Sequence, residues 1–138
     1  MATATQKGSR KATWTGMNWL RQERRLAIYL RDGLSCCYCG ASVEQGAQLS
    51  LDHVRCVSRG GGNESGNLVT CCSRCNSARG NRSVAAFAAG VASYLGVDAT
   101  EIVRHVRNAR RRVLDLGAAK SMIARRGSAA RVLAEMAG

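Results

Sequence analysis

Two cysteine clusters carry the most specific chemistry in this sequence. "LSCCYCGAS" at residues 34–42 and "LVTCCSRCNSARGN" at 68–81 hold three cysteines each. Cys36 with Cys39, and Cys72 with Cys75, form two Cys-x-x-Cys pairs. A two-residue gap lets both thiolates of a pair converge on one ion, and two such knuckles complete the closed tetrahedral site that zinc prefers in structural work. Cys37, Cys56 and Cys71 are left over. The registers Cys37–Cys39 and Cys71–Cys75 leave gaps of one and three residues and fit a knuckle less well. In a strand through Leu68, Val69 and Thr70, Cys71 points opposite to Cys72, so Cys72 is expected at the metal and Cys71 in the core. A redox pair is the rival reading, but it needs only one motif and lacks its usual thioredoxin-type setting.

The 32 residues between Cys39 and Cys72 exceed the roughly 15 to 20 of a plain zinc ribbon. They contain "LDHV", a Gly-rich loop and Asn67, and Asn76 directly follows the last cysteine. Asp52 and Asn76 offer hard oxygen ligands suited to Mg²⁺ or Mn²⁺, and His53 offers an imidazole, the side chain most often used as a general base. Alone, each has a plainer use. His53 and Cys56 also make a His-x-x-Cys pair, and Asn76 could cap a turn. Their joint placement beside two knuckles favours a site. His105, isolated on an Arg-rich helix, reads as a surface residue.

Several elements must position these groups. "LSLDHV" and "NLVTC" are strand-like, separated by "SRGGGNESG", and "SRCNSARGN" favours a short helix that Gly80 can stop. The order is strand, loop, strand, helix. Ahead of it, "NWLRQERRLAIYLRDG" has Trp19, Leu20, Leu26, Ala27 and Leu30 near helical spacing, Asn18 to cap it and Gly33 to end it. Arg21, Arg24, Arg25 and Arg31 are expected on its surface. Behind it, "SVAAFAAGVASYLG" and "DATEIVRHVRNARRRVLDLG" read as helices. The second is capped by Asp98 or Thr100 and carries an apolar stripe of Ile102, Val103, Val106, Ala109, Val113 and Leu114. Met122, Ile123, Val132 and Leu133 could make one apolar face of a last segment, 118–137.

With 138 residues but one Phe, two Trp and three Tyr, a single domain of this size needs a supplement to its core, and a metal cross-link would provide it. Neither a signal-peptide run nor a membrane-spanning stretch is readable, so a cytoplasmic, reducing location is expected for the thiolates. The formal charge of +12 divides as +5 in 1–35, +2 in 36–83 and +5 in 84–138. Such an excess suits a polyanion, and equally a solvated surface.

"RDGLSCCYCG…LDHVRCVSRGGGNESGNLVTCCSRCNSARGN" resembles the HNH endonucleases, in the form with Asn as third signature residue and a four-cysteine zinc clamp around a ββα-metal core. The resemblance covers about residues 24–83. By position, His53 is the first signature residue, Asn67 the second and Asn76 the third. It implies hydrolysis of DNA phosphodiester bonds with one divalent ion, Mg²⁺ or another such as Mn²⁺ or Ni²⁺, beside a structural Zn²⁺. His53 would activate water while Asp52 and Asn76 hold the ion, giving 5′-phosphate and 3′-hydroxyl ends. Asn67 suits bracing the Gly-rich loop by side-chain to backbone hydrogen bonds. Adjacent Asp52 and His53 reach one site only if the strand twists or ends there. Arg59, Arg79 and Arg82 are expected to contact phosphates flanking the scissile one. For Arg104 to Arg112 a DNA face and a solvated face have equal claim.

The expected fold class is therefore α+β: a basic arm (1–13), a zinc-clamped nuclease domain with an N-terminal helix (14–83) and a basic helical extension (84–138). The expected partner is DNA, with no membrane, and coordinated double-strand cuts would call for a homodimer or sequential nicking. By resemblance the setting is bacterial or that of a bacteriophage. The competing class is a non-catalytic zinc module that binds nucleic acid electrostatically.

Overall fold

The computed structural model describes residues 19–137, so the expected arm and the Asn18 cap lie outside the described residues. Within that range the fold mixes six helices with one two-stranded antiparallel sheet. Strand β1 (Leu49–His53) pairs with β2 (Leu68–Cys72), in the register Leu49 opposite Cys72 through His53 opposite Leu68. Helix α2 (Ser73–Arg79) follows β2 without a loop, and the Cys72 side chain accepts a hydrogen bond from the Cys75 amide at the turn into it. Gly80 stops the helix at φ +56°, which a side chain would disfavour.

Helix α1 (Gln22–Arg31) starts later than its sequence pattern suggests, leaving Trp19 and Leu20 before it. Four consecutive residues, Leu26, Ala27, Ile28 and Tyr29, are buried on it. A helix can bury so wide a surface only when covered on two sides. Ile28 and Tyr29 pack with Leu51 and Leu68 of the sheet, while Leu26 and Ala27 pack with Ala119, Ala129 and Val132 of the C-terminal helices. The Arg31 side chain, expected on the surface, is 1% exposed. It bonds Asp32 at 2.7 Å and the carbonyls of Ser65 and Leu68, and Asp32 in turn accepts the Thr70 amide at 2.8 Å. This network ties the end of α1 to β2.

The remaining helices are α3 (Val84–Leu95), α4 (Ala99–Arg111), α5 (Leu116–Arg126) and α6 (Ala129–Met136). Asp98 caps α4 by accepting the Thr100 amide. Its apolar stripe stops short of the expected length: the backbone turns extended at Arg112, and Val113 is 91% exposed. The last segment is two helices, broken at Gly127 (φ +103°) and restarted by the Ser128 cap.

Phe87, Ala88 and Ala92 of α3 and Ile102, Val106 and Ala109 of α4 share one hydrophobic cluster with Cys36, Cys37, Cys71, Cys72 and Cys75. Clusters thus cross the expected boundary at 83/84 at both α3–α4 and α5–α6. Among the described residues, no helix is long and apolar enough to cross a membrane.

Candidate active site and metal centre

The first knuckle is a tight loop closed by a Ser35–Ser42 bridge, with Gly40 at φ +81° allowing the turn. The second is the junction of β2 and α2. Together they bring the sulfurs of Cys36, Cys39, Cys72 and Cys75 within 4.8 Å of one another. Cys39 Sγ and Cys72 Sγ are 3.7 Å apart, close to the ~3.8 Å edge of a tetrahedron with Zn–S bonds of ~2.3 Å. In each knuckle the amide of the second cysteine points at the sulfur of the first, at 3.4 Å. The four cysteines could therefore hold a metal, and the donor set fits zinc. The Cys36 thiol is pushed down to about 5, chiefly by its hydrogen bond with Cys75, whose own thiol that bond pushes up. Cys37 and Cys71 are excluded from the group. Both are buried, and burial raises both thiols.

Across the sheet from the clamp, β1 ends at Asp52 and His53. Asp52 is 7% exposed and its Oδ2 takes two bonds, from the Tyr38 hydroxyl at 2.6 Å and from Arg79 Nη1 at 2.5 Å. Among the described residues nothing bonds its Oδ1. Tyr38 lies inside the first knuckle, so the clamp and the end of β1 are joined by one hydrogen bond. Burial, and then the carboxylate beside it, keep the Tyr38 phenol protonated far above its ordinary range.

His53 is half-buried. Its Nε2 sits 2.8 Å from Asn63 Oδ1, and its ring lies against Trp19 with centroids 4.9 Å apart. An amide oxygen accepts, so Nε2 carries the proton and Nδ1 keeps the lone pair. Asn63 belongs to the Gly-rich loop, which is shaped by Asn67. Asn67 Oδ1 accepts the Arg55 amide at 2.8 Å, and Nδ2 donates to the carbonyls of Arg55 and Gly62. A Cβ on Gly61 would lie 1.7 Å from the Arg55 carbonyl oxygen, so only glycine fits there.

Asp52, His53 and Asn76 all line one cleft of about 700 Å³, whose wall is continued by Trp19, Ser50 and Ser77. Asn76 donates from Nδ2 to Ser50 Oγ at 3.0 Å. Asn67 lies outside the lining, in the loop beneath.

The arginines divide. Arg59 is exposed in the loop. Arg82 is exposed too, but it lines a different cleft on the far side of α2. Arg79 corrects its expected role: it is 2% exposed, and its guanidinium bonds Asp52 and the carbonyls of His53, Val54 and Arg82. Each of its three nitrogens donates to the protein, so it locks α2 to the end of β1.

Residues 36–90 of the 138 match the family model described as HNH endonuclease. This stretch is similar to the HNH endonucleases. The match runs from the first clamp cysteine into α3, beyond the expected limit at 83. No curated protein and no solved structure matches the chain. HNH domains generally use divalent metals and act on nucleic acid.

Tyr38, Ser50 and Asn63 carry no expectation from the sequence, and Trp19 is expected only in the apolar stripe of the first helix, not at the site. Asn63 had one readable signal, as a polar residue beside three glycines in the loop that follows the histidine. The other three become visible only when α1, the first knuckle and β1 are brought together.

Proposed function

We propose that this cleft hydrolyses DNA phosphodiester bonds as a metal-dependent endonuclease. The observation that carries the reading is the convergence of Asp52, His53 and Asn76 on one cleft within the stretch similar to the HNH endonucleases. With Nε2 committed to Asn63, His53 accepts a proton through Nδ1 from the water that attacks phosphorus. Asp52 Oδ1 and the Asn76 side-chain oxygen, one carboxylate and one amide donor in one cleft, would hold the divalent ion with water completing its shell. Bound there, Mg²⁺, Mn²⁺ or Ni²⁺ would supply the charge that stabilises the departing 3′ oxygen. Arg59 would contact a flanking phosphate, and the ends would be 5′-phosphate and 3′-hydroxyl. The clamp ion has no chemical role in this scheme. It holds α2 so that Asn76 faces β1.

One observation favours the competing reading of a non-catalytic nucleic-acid-binding module. Arg79 already neutralises Asp52, which weakens the carboxylate as a ligand. Plasmid nicking or linearisation, assayed with Mg²⁺, Mn²⁺ and Ni²⁺, separates the two. The nuclease converts supercoiled plasmid with at least one ion, and His53→Ala does not. A wild-type protein that leaves plasmid intact with all three supports the binding module instead.

A further inference from the structure

Helix α2 is a wall between two clefts. Ser73, Asn76 and Ser77 line the candidate active site, whereas Arg74, Cys75 and Ala78 line a second cleft of about 650 Å³ closed by α3. This second cleft has an apolar floor that includes Phe87, and its rim carries Tyr94 and Leu95, exposed by 88% and 43%. The exposed ring and the adjacent leucine thus continue the apolar floor out to the surface. Arg74 and Arg82 lie at the same rim, and no acidic residue lines the cleft. Among the described residues neither guanidinium has a hydrogen-bond partner.

We propose that this cleft is a second nucleic-acid subsite, which takes an unpaired base of a single DNA strand against Tyr94 while Arg74 and Arg82 hold its flanking phosphates. An apolar floor, an open aromatic ring and two free cations form the combination that binds single strands through stacking and charge. A base inside a duplex could not enter, whereas one freed near a cut can. The inference rests on reading the substrate as DNA, and not on the chemistry of the first cleft.

The test uses the full chain, with zinc retained and no added Mg²⁺, and a single-stranded oligodeoxynucleotide carrying 2-aminopurine. Binding quenches the base fluorescence in the wild type and in Tyr94→Phe. Tyr94→Ala loses the quenching and binds about tenfold more weakly. Replacing Arg74 and Arg82 together by alanine lowers the slope of log affinity against log salt by about 1.4, as expected for two phosphates on a single strand. Wild-type quenching and affinity in Tyr94→Ala overturn the proposal. So does a concentration-dependent dimer that Tyr94→Ala abolishes, which assigns the cleft to a second copy of the chain. Plasmid cleavage measured alongside keeps the two readings apart. Cleavage without Tyr94-dependent quenching removes only the subsite, and quenching without cleavage removes only the nuclease.

Discussion

Arg79 Nη1 stands 2.5 Å from Asp52 Oδ2, with 2% and 9% of the two side chains exposed. The pair joins the end of α2 to the end of β1, and the same guanidinium reaches the carbonyls of His53 and Val54. Removing one partner of a buried pair strands the other charge, which costs about 3–5 kcal/mol. Arg79→Met should therefore lower the unfolding free energy by that amount, read as a fall in the urea midpoint at unchanged slope. Arg79→Lys should recover only part of it, because an ammonium cannot reproduce the planar fork that spans four acceptors.

Asn67 makes three hydrogen bonds to the loop that carries Asn63. Asn67→Ala leaves the partly buried Arg55 amide and carbonyl without these partners, at a cost of about 1 kcal/mol. Cleavage should fall more than DNA affinity, since the loop fixes the His53 ring while the exposed arginines are untouched. Denaturation together with separate binding and single-turnover measurements reads both effects.

The clamp should contribute folding free energy outright. Stripping zinc with a strong chelator at neutral pH should collapse the circular dichroism spectrum, and readdition should restore it. Zinc content discriminates among the cysteines: Cys72→Ser should lose the ion, whereas Cys71→Ser, altered at a fully buried core position, should keep it. An unchanged spectrum after verified metal loss would remove the structural role.

Tyr29 gives the fold an alkaline limit. Burial pushes its phenol from 10.0 up to about 12, so the unfolded chain ionises first as pH rises. The stabilisation is complete below pH 10 and is lost towards pH 12, a swing of about 3 kcal/mol. Urea midpoints across that range should fall in the wild type and fall less in Tyr29→Phe.

The residues differ in how far sequence alone exposed their roles. The clamp was legible because Cys-x-x-Cys spacing encodes a local geometry, and the roles of Cys71 and Cys72 separated by strand alternation alone. The bracing by Asn67 was legible through the resemblance to the HNH endonucleases, which singles out that position beside the Gly-rich loop. Arg79 was not, since "NSARGN" has the composition of a surface turn and only the packing of α2 under β1 buries it. Arg31 was misread for the same reason, as its acceptors lie 34 and 37 residues away. Val113 was misread because the helical period continues in the sequence past the point where Arg112 turns extended.

The proposed function stands on His53 driving phosphodiester hydrolysis in this cleft. Single-turnover cleavage of an end-labelled DNA duplex, with the zinc-loaded protein in excess and Mn²⁺ or Mg²⁺ added, tests it most directly. The account predicts 5′-phosphate and 3′-hydroxyl ends, and a rate at least ~10²-fold lower in His53→Ala, the scale of a lost general base. A His53→Ala protein that cuts at the wild-type rate, or a folded wild type that leaves the duplex whole, would contradict it.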